Sequence, residues 1–349
     1  MPSPLSYLWR LRFGRWWSVA AIDDEGYTVL VPVPGDLPVF TDLALAVCRQ
    51  QSGRHRRRTL VVPDRRSPAV AAAVARERPT WPGGSLELLD LPPVDQLVLP
   101  RLGDPGRNHG AQLVAGASAA STRRVVLHDA DLFMLDPDLH DRMHEAAEAS
   151  DLDVLGLSPA WDPWYSARGR ELAATWEQTA RTAWLRAYPP HRHLGHEASV
   201  GGERHVVDTT FWAQWHTDPG RVGVDPRSAE DVVHFNYVIS TYRRFQRSEG
   251  SFHDGSFRLL LVRLFQDLFG RGEAPPGLPP LDRLAAGLDG SSEVTYEPGD
   301  ASTYRAFRQQ ISRILAAPWV ERERSSEAEA LLAPFDDRFA ASQHLEVDR

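Results

Sequence analysis

Residues 123–138 read RRVVLHDADLFMLDPD: an apolar run closed by two aspartates one residue apart, Asp129 and Asp131, with Asp136 soon after. Where a strand ends, its alternation of faces relaxes. Both carboxylates can then turn toward one hard divalent cation, which prefers oxygen ligands. An ion held by few protein oxygens keeps positions for phosphate oxygens, and as a Lewis acid it neutralises a departing diphosphate. Each unit charge pair at 4 Å is worth ~4 kcal/mol at an effective dielectric of 20. Several such pairs are enough to decide the chemistry. The plainer alternative is that Asp131 or Asp136 caps a helix opening at Pro137. It accounts for Asp136 but not for Asp129, which directly follows the apolar run.

The elements that must position these acids alternate in type. YTVLVPVPG, TLVVPDRRS, SLELLDL, QLVLP, RRVVLHDAD and LDVLGLS read as strands. VFTDLALAVCRQQ, SPAVAAAVARE (Ser67 as N-cap, Pro68 in the first turn), GRNHGAQLVAGASAAS and PDLHDRMHEAAEAS read as helices. Such alternation implies βαβ units and a mainly parallel sheet, which binds ligands at the carboxyl ends of its strands. Asp36, Asp64, Asp129 and Asp131 are thereby expected on one rim, with Arg65, Arg66 and Arg107 as candidate phosphate partners. Alternatively, Asp64 is a turn residue and the arginines are solvated.

After residue 160 the texture changes. RGRELAATWEQTARTAWLRAY reads as an amphipathic helix, PPHRHLGHEASVGGERH as loop, and HVVDTTFWAQW as a strand running into a helix. AEDVVHFNYVISTYRRFQ and DGSFRLLLVRLFQDLF read as helices, the second capped by Asp254. GRGEAPPGLPP is linker by composition. The tail holds one clear helix, TYRAFRQQISRIL, and an acidic end.

The chain has 349 residues, 42% hydrophobic, and a net charge of -8, so nucleic acid is not an expected partner. All 39 basic residues are arginine, which excludes any chemistry requiring a lysine amine. The single cysteine, Cys48, excludes an intrachain disulfide, reads as a small core residue and fits a reducing, cytoplasmic compartment. No apolar run approaches the ~20 residues of a membrane span. LWRLRFGRWW alternates Trp9, Leu11 and Phe13 with arginines, which predicts a half-buried edge strand. A weak peripheral membrane contact is the alternative.

In order, VLVPVPGD, TLVVPDRRS and GRNHGAQLVAGASAASTRRVVLHDADLFM resemble successive elements of GT-A-fold glycosyltransferases, family 2-like in the N-terminal half. The resemblance covers about residues 27–160 and, more loosely, extends to about 265. It implies an α/β, Rossmann-like, mainly parallel sheet flanked by helices, with a helical C-terminal extension. It also implies a UDP- or GDP-linked sugar donor, a hydroxyl acceptor and Mn2+ or Mg2+. On that resemblance Pro32 and Asp36 border the nucleoside, Asp64 meets the base, Arg107 and Asn108 help to place the nucleotide, and Asp129 and Asp131 hold the metal. PDRRS departs from the usual DDGS-like motif, and the first loop lacks the common Asn. VGGERHVVD resembles an acceptor-side segment, making Glu203 the candidate general base and Asp208 its rival. His253, or His234, is the candidate third metal ligand, and Trp161, Trp164 and Tyr165 could form a sugar platform, with plain core packing as the alternative.

The organisation expected is a nucleotide-sugar half over 1–160, an acceptor half over 161–270, and a linker with helical extension over 271–349. Rival readings are a haloacid dehalogenase-type phosphatase, a zinc hydrolase using His191, His193, His196 and His205, and a non-catalytic nucleotide-binding relative. The phosphatase reading needs a lysine, which this chain lacks.

Overall fold

The computed structural model describes residues 11–16, 18–102, 104–200, 202–225, 230–247, 256–275, 277–287, 291, 294 and 300–341. The chain forms two compact units, one of residues 1–132 and 136–232, the other of residues 133–135 and 233–349.

The first unit is built on strands β1 (Asp24–Val33), β2 (Arg56–Pro63), β3 (Ser85–Leu88) and β4 (Thr122–His128). It continues with β6 (Val154–Gly156), β7 (Glu177–Arg181), the hairpin β8 (His196–Val200) and β9 (Glu203–Val207), and β10 (Val222–Val224); the short β5 (Leu132–Met134) and β11 (Val232–His234) fall mostly in the second unit. The seven-stranded sheet runs β10-β6-β7-β4-β1-β2-β3, and β5 pairs with β11. Every neighbouring pair in the large sheet is parallel except those of β7, which is antiparallel to both β4 and β6. The helices are α1 (Pro38–Gln50), α2 (Pro68–Glu77), α3 (Pro93–Leu102), α4 (Pro105–Ala119), α5 (Leu139–Ala149), α6 (Pro163–Ser166), α7 (Thr182–Ala187) and α8 (Phe211–Trp215).

After charged N-terminal ends, the central strands run apolar because both of their faces are covered there. Leu30, Leu60, Val62, Val125 and Leu127 pack with Ala111, Leu113, Val114 and Ala117 of α4 and Trp184 and Leu185 of α7. The alternate residues Val29, Val31 and Val126 are equally buried. The small residues of α4 let it lie close to the sheet: a Cβ at Gly116 would come 2.8 Å from Leu30 Cδ2.

The second unit contains α9 (Val238–Gln246), α10 (Ser256–Phe269), α11 (Leu281–Ala286), α12 (Asp300–Leu315) and α13 (Arg322–Ala341). Its core is aromatic: Phe133 meets Phe235, Phe265 and Trp319, and Tyr304 stacks on Phe339. No helix among the described residues is long and apolar enough to cross a membrane.

The expected architecture holds, with local corrections. QLVLP is not a strand but part of α3, where Pro93 opens a helix at a position that tolerates its missing N–H. RGRELAATWEQTARTAWLRAY is not one helix: β7 occupies its middle and α7 its end. PPHRHLGHEASVGGERH is not all loop but a 3-10 turn and the β8–β9 hairpin. VVHFNYV begins with β11 instead of helix. The tail carries a second long helix, α13. Leu11 and Arg12 are helical, so the edge strand does not form there; Trp9 and Asp254 lie outside the described residues.

Candidate active site

The strand ends bring the expected acids to one rim. Asp36 and Asp64 follow β1 and β2, which pair up to Val33 and Pro63, and Asp129 follows β4, parallel to β1. The Asp129 N–H donates to Trp176 O at 3.2 Å, and Leu132 N–H donates back to Asp129 O at 3.1 Å. That turn carries both aspartates of the motif. Asp131 is 7% exposed, and its carboxylate lies with that of Asp129 in a group whose ligand atoms lie within 4.8 Å of one another. Two carboxylates on one turn form a hard, all-oxygen donor pair, which fits Mn2+ or Mg2+ better than a soft metal.

On the β1–β2 side, Asp64 is nearly fully buried, and its Oδ1 accepts the Gly35 N–H at 3.0 Å. Arg65 Nε lies 3.2 Å from the same oxygen, and an Arg65 amino group lies 3.5 Å from Asp36. Asp64 therefore ties the first loop to the second. Gly35 is required there, because a Cβ would stand 2.5 Å from Arg65 O. Pro32 is half-buried in β1, beyond Leu30, the last β1 residue in register with β4. Its missing N–H thus costs no bond in the paired part of that ladder. Gln112 of α4 donates to Val33 O at 3.1 Å, pinning the helix beneath these strand ends.

Asp104 caps α4 by accepting the Arg107 N–H at 3.1 Å, and its other oxygen holds the Arg107 guanidinium at 3.1 Å. Asn108 is 5% exposed, and its Oδ1 has no hydrogen-bond partner among the described residues. A buried amide oxygen left this way is what a bound ligand's donor would satisfy. Arg66 is exposed and, among the described residues, reaches Asp90 at 3.5 Å.

The acceptor-side candidates part company. Glu203 begins β9 on the exposed hairpin, and its carboxylate pairs with Arg168. Asp208 follows β9 and turns inward. Its Oδ1 accepts the Thr209 N–H at 2.7 Å, and its Oδ2 accepts the Thr175 hydroxyl at 3.0 Å. Burial is the largest influence on the Asp208 carboxyl and raises its pKa. Nearby His109 and the two hydrogen bonds oppose that shift without cancelling it.

His109, which sequence reading passed over, connects the two sides. Its Nε2 stands 3.0 Å from Asp129 Oδ1, and its Nδ1 lies 3.1 Å from Thr209 Oγ1. Burial alone would lower the His109 pKa, but Asp129, Asp208 and Asp131 together outweigh it, so the net shift is upward. The turn beyond is strained: Thr210, β-branched, sits at φ 69°. It is held there by its hydroxyl, which accepts from the Gln178 amide at 3.1 Å and the Gln214 amide at 2.9 Å. Such strain persists only where surrounding contacts over-determine it, and it concentrates at functional sites.

A second polar cluster lies beneath the rim and also escaped sequence reading. Fully buried Glu177 on β7 pairs with His128 at 2.9 Å and His140 at 3.0 Å. Burial lowers the basicity of both rings, yet Cys48 and Glu177 hold His128 well above its ordinary value, whereas His140 ends below. Each carboxylate oxygen already has one imidazole, so this is a satisfied buried acid.

The sugar-platform residues divide. Trp164 is stacked on His205 at 3.9 Å and carries the Arg168 guanidinium 4.1 Å from its ring. Tyr165 is buried with its hydroxyl on Val206 O. Trp161 alone is open, at 54% exposure. The histidines of the zinc reading do not gather among the described residues. His193 is buried on Leu185 O with its pKa pushed down to about 4 by burial, and His196 bonds to Leu194 O. His253 lies outside the described residues; His234 is half-buried at the end of β11.

No protein-family model and no curated protein matches the chain. Solved structures do. The mannosyltransferase PcManGT of Pyrobaculum calidifontis, in complex with GDP-Man and Mn2+, is 17% identical. The match covers 95% of this chain and 94% of that one at a TM-score of 0.42. S. aureus TarS 1-349 in complex with UDP-GlcNAc is 12% identical over 93% of this chain and 92% of that one, with a TM-score of 0.37. A longer TarS structure is matched over 55% of its length at 13% identity, 91% coverage of this chain and a TM-score of 0.40. Glucosyl-3-phosphoglycerate synthase from Mycobacterium tuberculosis, with Mn2+ and UDP, is 13% identical over 71% and 81% of the two chains, with a TM-score of 0.39.

Proposed function

We propose that the chain is a metal-dependent glycosyltransferase that moves a sugar from a UDP- or GDP-linked donor to an acceptor hydroxyl. The observation that carries this reading is the convergence on one rim of the Asp129–Asp131 pair and the inward carboxylate of Asp208, linked by His109. The ion that Asp129 and Asp131 would hold supplies charge neutralisation for the diphosphate leaving group. Asp64, through Gly35 and Arg65, shapes the loops that would flank the nucleoside, and Asn108 offers its buried oxygen to the donor. Asp208 takes the proton of the acceptor hydroxyl while that oxygen bonds to the anomeric carbon and the bond from that carbon to the diphosphate breaks. Its inward position favours it over Glu203, whose carboxylate is spent on an exposed arginine.

The test needs no knowledge of the acceptor, because water can take its place slowly. Release of UDP or GDP from a panel of nucleotide sugars is measured with Mn2+ and with a chelator, for wild type and Asp131→Asn. Release is expected only from the wild type with metal, at unchanged circular dichroism. Turnover by the variant, or in chelator, ends the reading.

A further inference from the structure

Four atoms in sequence join the two halves of the rim: Asp129 Oδ1, the two ring nitrogens of His109, and Thr209 Oγ1, with steps of 3.0 Å and 3.1 Å outside the ring. Thr209 then continues through its own backbone N–H to Asp208 Oδ1 at 2.7 Å. We propose that His109 is a positioning residue that locks the Asp129 carboxylate to the turn carrying Asp208. Metal affinity and the orientation of the acceptor-side carboxylate would then depend on one chain of contacts. This inference rests on the metal-dependent reading above.

Each link is fixed from outside. Gly110 packs α4 against residues 193–194 so closely that a Cβ would stand 2.5 Å from His193 O, which sets the depth of the neighbouring His109. Thr209 is fully buried, and the residue after it is pinned in a left-handed conformation by Gln178 and Gln214. Asp129 is anchored through its backbone to Trp176 O. The ring hydrogen-bonds Thr209 through Nδ1 and sets Nε2 in close ionic contact with Asp129, so it touches both neighbours at once. A carboxylate that binds a metal with an imidazole nitrogen 3.0 Å from one of its oxygens is restrained by that contact, and loss of such an outer partner weakens metal binding. Continuity of contacts alone does not demonstrate coupling; a double-mutant cycle does.

The cycle is run on the full chain. Mn2+ affinity is measured by titration calorimetry in the presence of saturating UDP or, separately, GDP, for wild type, His109→Ala, Thr209→Val, the double variant and His109→Gln. Thr209→Val keeps the shape of the side chain and removes only the hydroxyl. The expected losses are about tenfold for His109→Ala and about threefold for Thr209→Val, with the double variant no weaker than His109→Ala. His109→Gln, whose amide can donate and accept, is expected to recover part of the loss. Wild-type affinity in Thr209→Val, or losses that simply multiply in the double variant, overturn the coupling while the function stands. A wild type that binds no Mn2+ with either nucleotide overturns the function and the inference with it.

Discussion

Withdrawing a carboxylate from water makes it hold its proton longer, and at Asp208 that sets the working range of a base. Its raised pKa means that the ionised, proton-accepting form is lost on the acid side at a higher pH than for an ordinary aspartate at 3.8. Transfer is therefore expected to fall as pH drops through that raised value. Asp208→Asn is expected to reduce kcat by ~10²–10⁴-fold and to abolish this acid limb, whereas Glu203→Gln keeps both rate and limb. Rate profiles of the three proteins at saturating Mn2+ check this; an acid limb that survives in Asp208→Asn assigns the base elsewhere. At this scale the legible residues were those with local context. Asp129 and Asp131 announce themselves because an apolar strand stops on them. His109 does not, because its partner Thr209 is 100 positions away. Trp164 was open to either a platform or a packing role, and its His205 partner, 41 positions away, was out of reach of local sequence context.

At the scale of elements, the parallel strands were readable because burial on both faces leaves an unbroken apolar run. β7 was not, since its sequence, EQTAR, is polar yet buried along most of its length. Its Glu177 is satisfied by His128 and His140, and its Gln178 by Thr210, all partners supplied by the tertiary fold. α3 was misread because a short apolar run does not distinguish strand from helix, although Pro93 in its first turn was a usable signal. α13 hides its stripe among charges, but buried Ala328, Leu332, Phe335 and Phe339 follow helical spacing. The placement of α4 gives the prediction at this scale. Alanine in a helix interior gains about 1 kcal/mol over glycine, whereas forcing a methyl group into a filled space costs about 1–3 kcal/mol. At Gly110 the added carbon meets backbone, His193 O at 2.5 Å and Leu194 Cα at 2.8 Å, which cannot yield without moving the chain. At Gly116 it meets the side-chain end of Leu30, which can rotate away. Gly110→Ala is therefore expected to destabilise by about 1–2 kcal/mol and to weaken Mn2+ binding through the displaced His109, with Gly116→Ala near neutral in both. Urea denaturation with Mn2+ titration separates them; equal effects at the two glycines would contradict the close approach at Gly110.

At the scale of the whole molecule, Asp64, Asn108, His109, Asp129, Asp131 and Asp208 all fall in the sheet-bearing unit, and so does the strained turn at Thr210. Ligand binding raises the stability of the state that binds, by about 2.7 kcal/mol when free ligand is a hundredfold above its dissociation constant. UDP or GDP with Mn2+ is accordingly expected to raise the melting temperature by roughly 5 °C, and neither nucleotide is expected to do so in chelator. Where the protection falls decides whether the rim is responsible. Hydrogen exchange should slow in segments 27–36, 58–66, 104–112, 122–131 and 205–211, because these carry the loops and turns whose groups would meet donor and metal. The order within that set is also fixed by the contacts: Asp129 and Asp208 share His109 and Thr209, so their two segments should gain protection together when Mn2+ is added to the nucleotide complex. A nucleotide that raises the melting temperature equally in chelator, or protection that leaves 122–131 unchanged, would show a ligand bound somewhere other than at the paired aspartates.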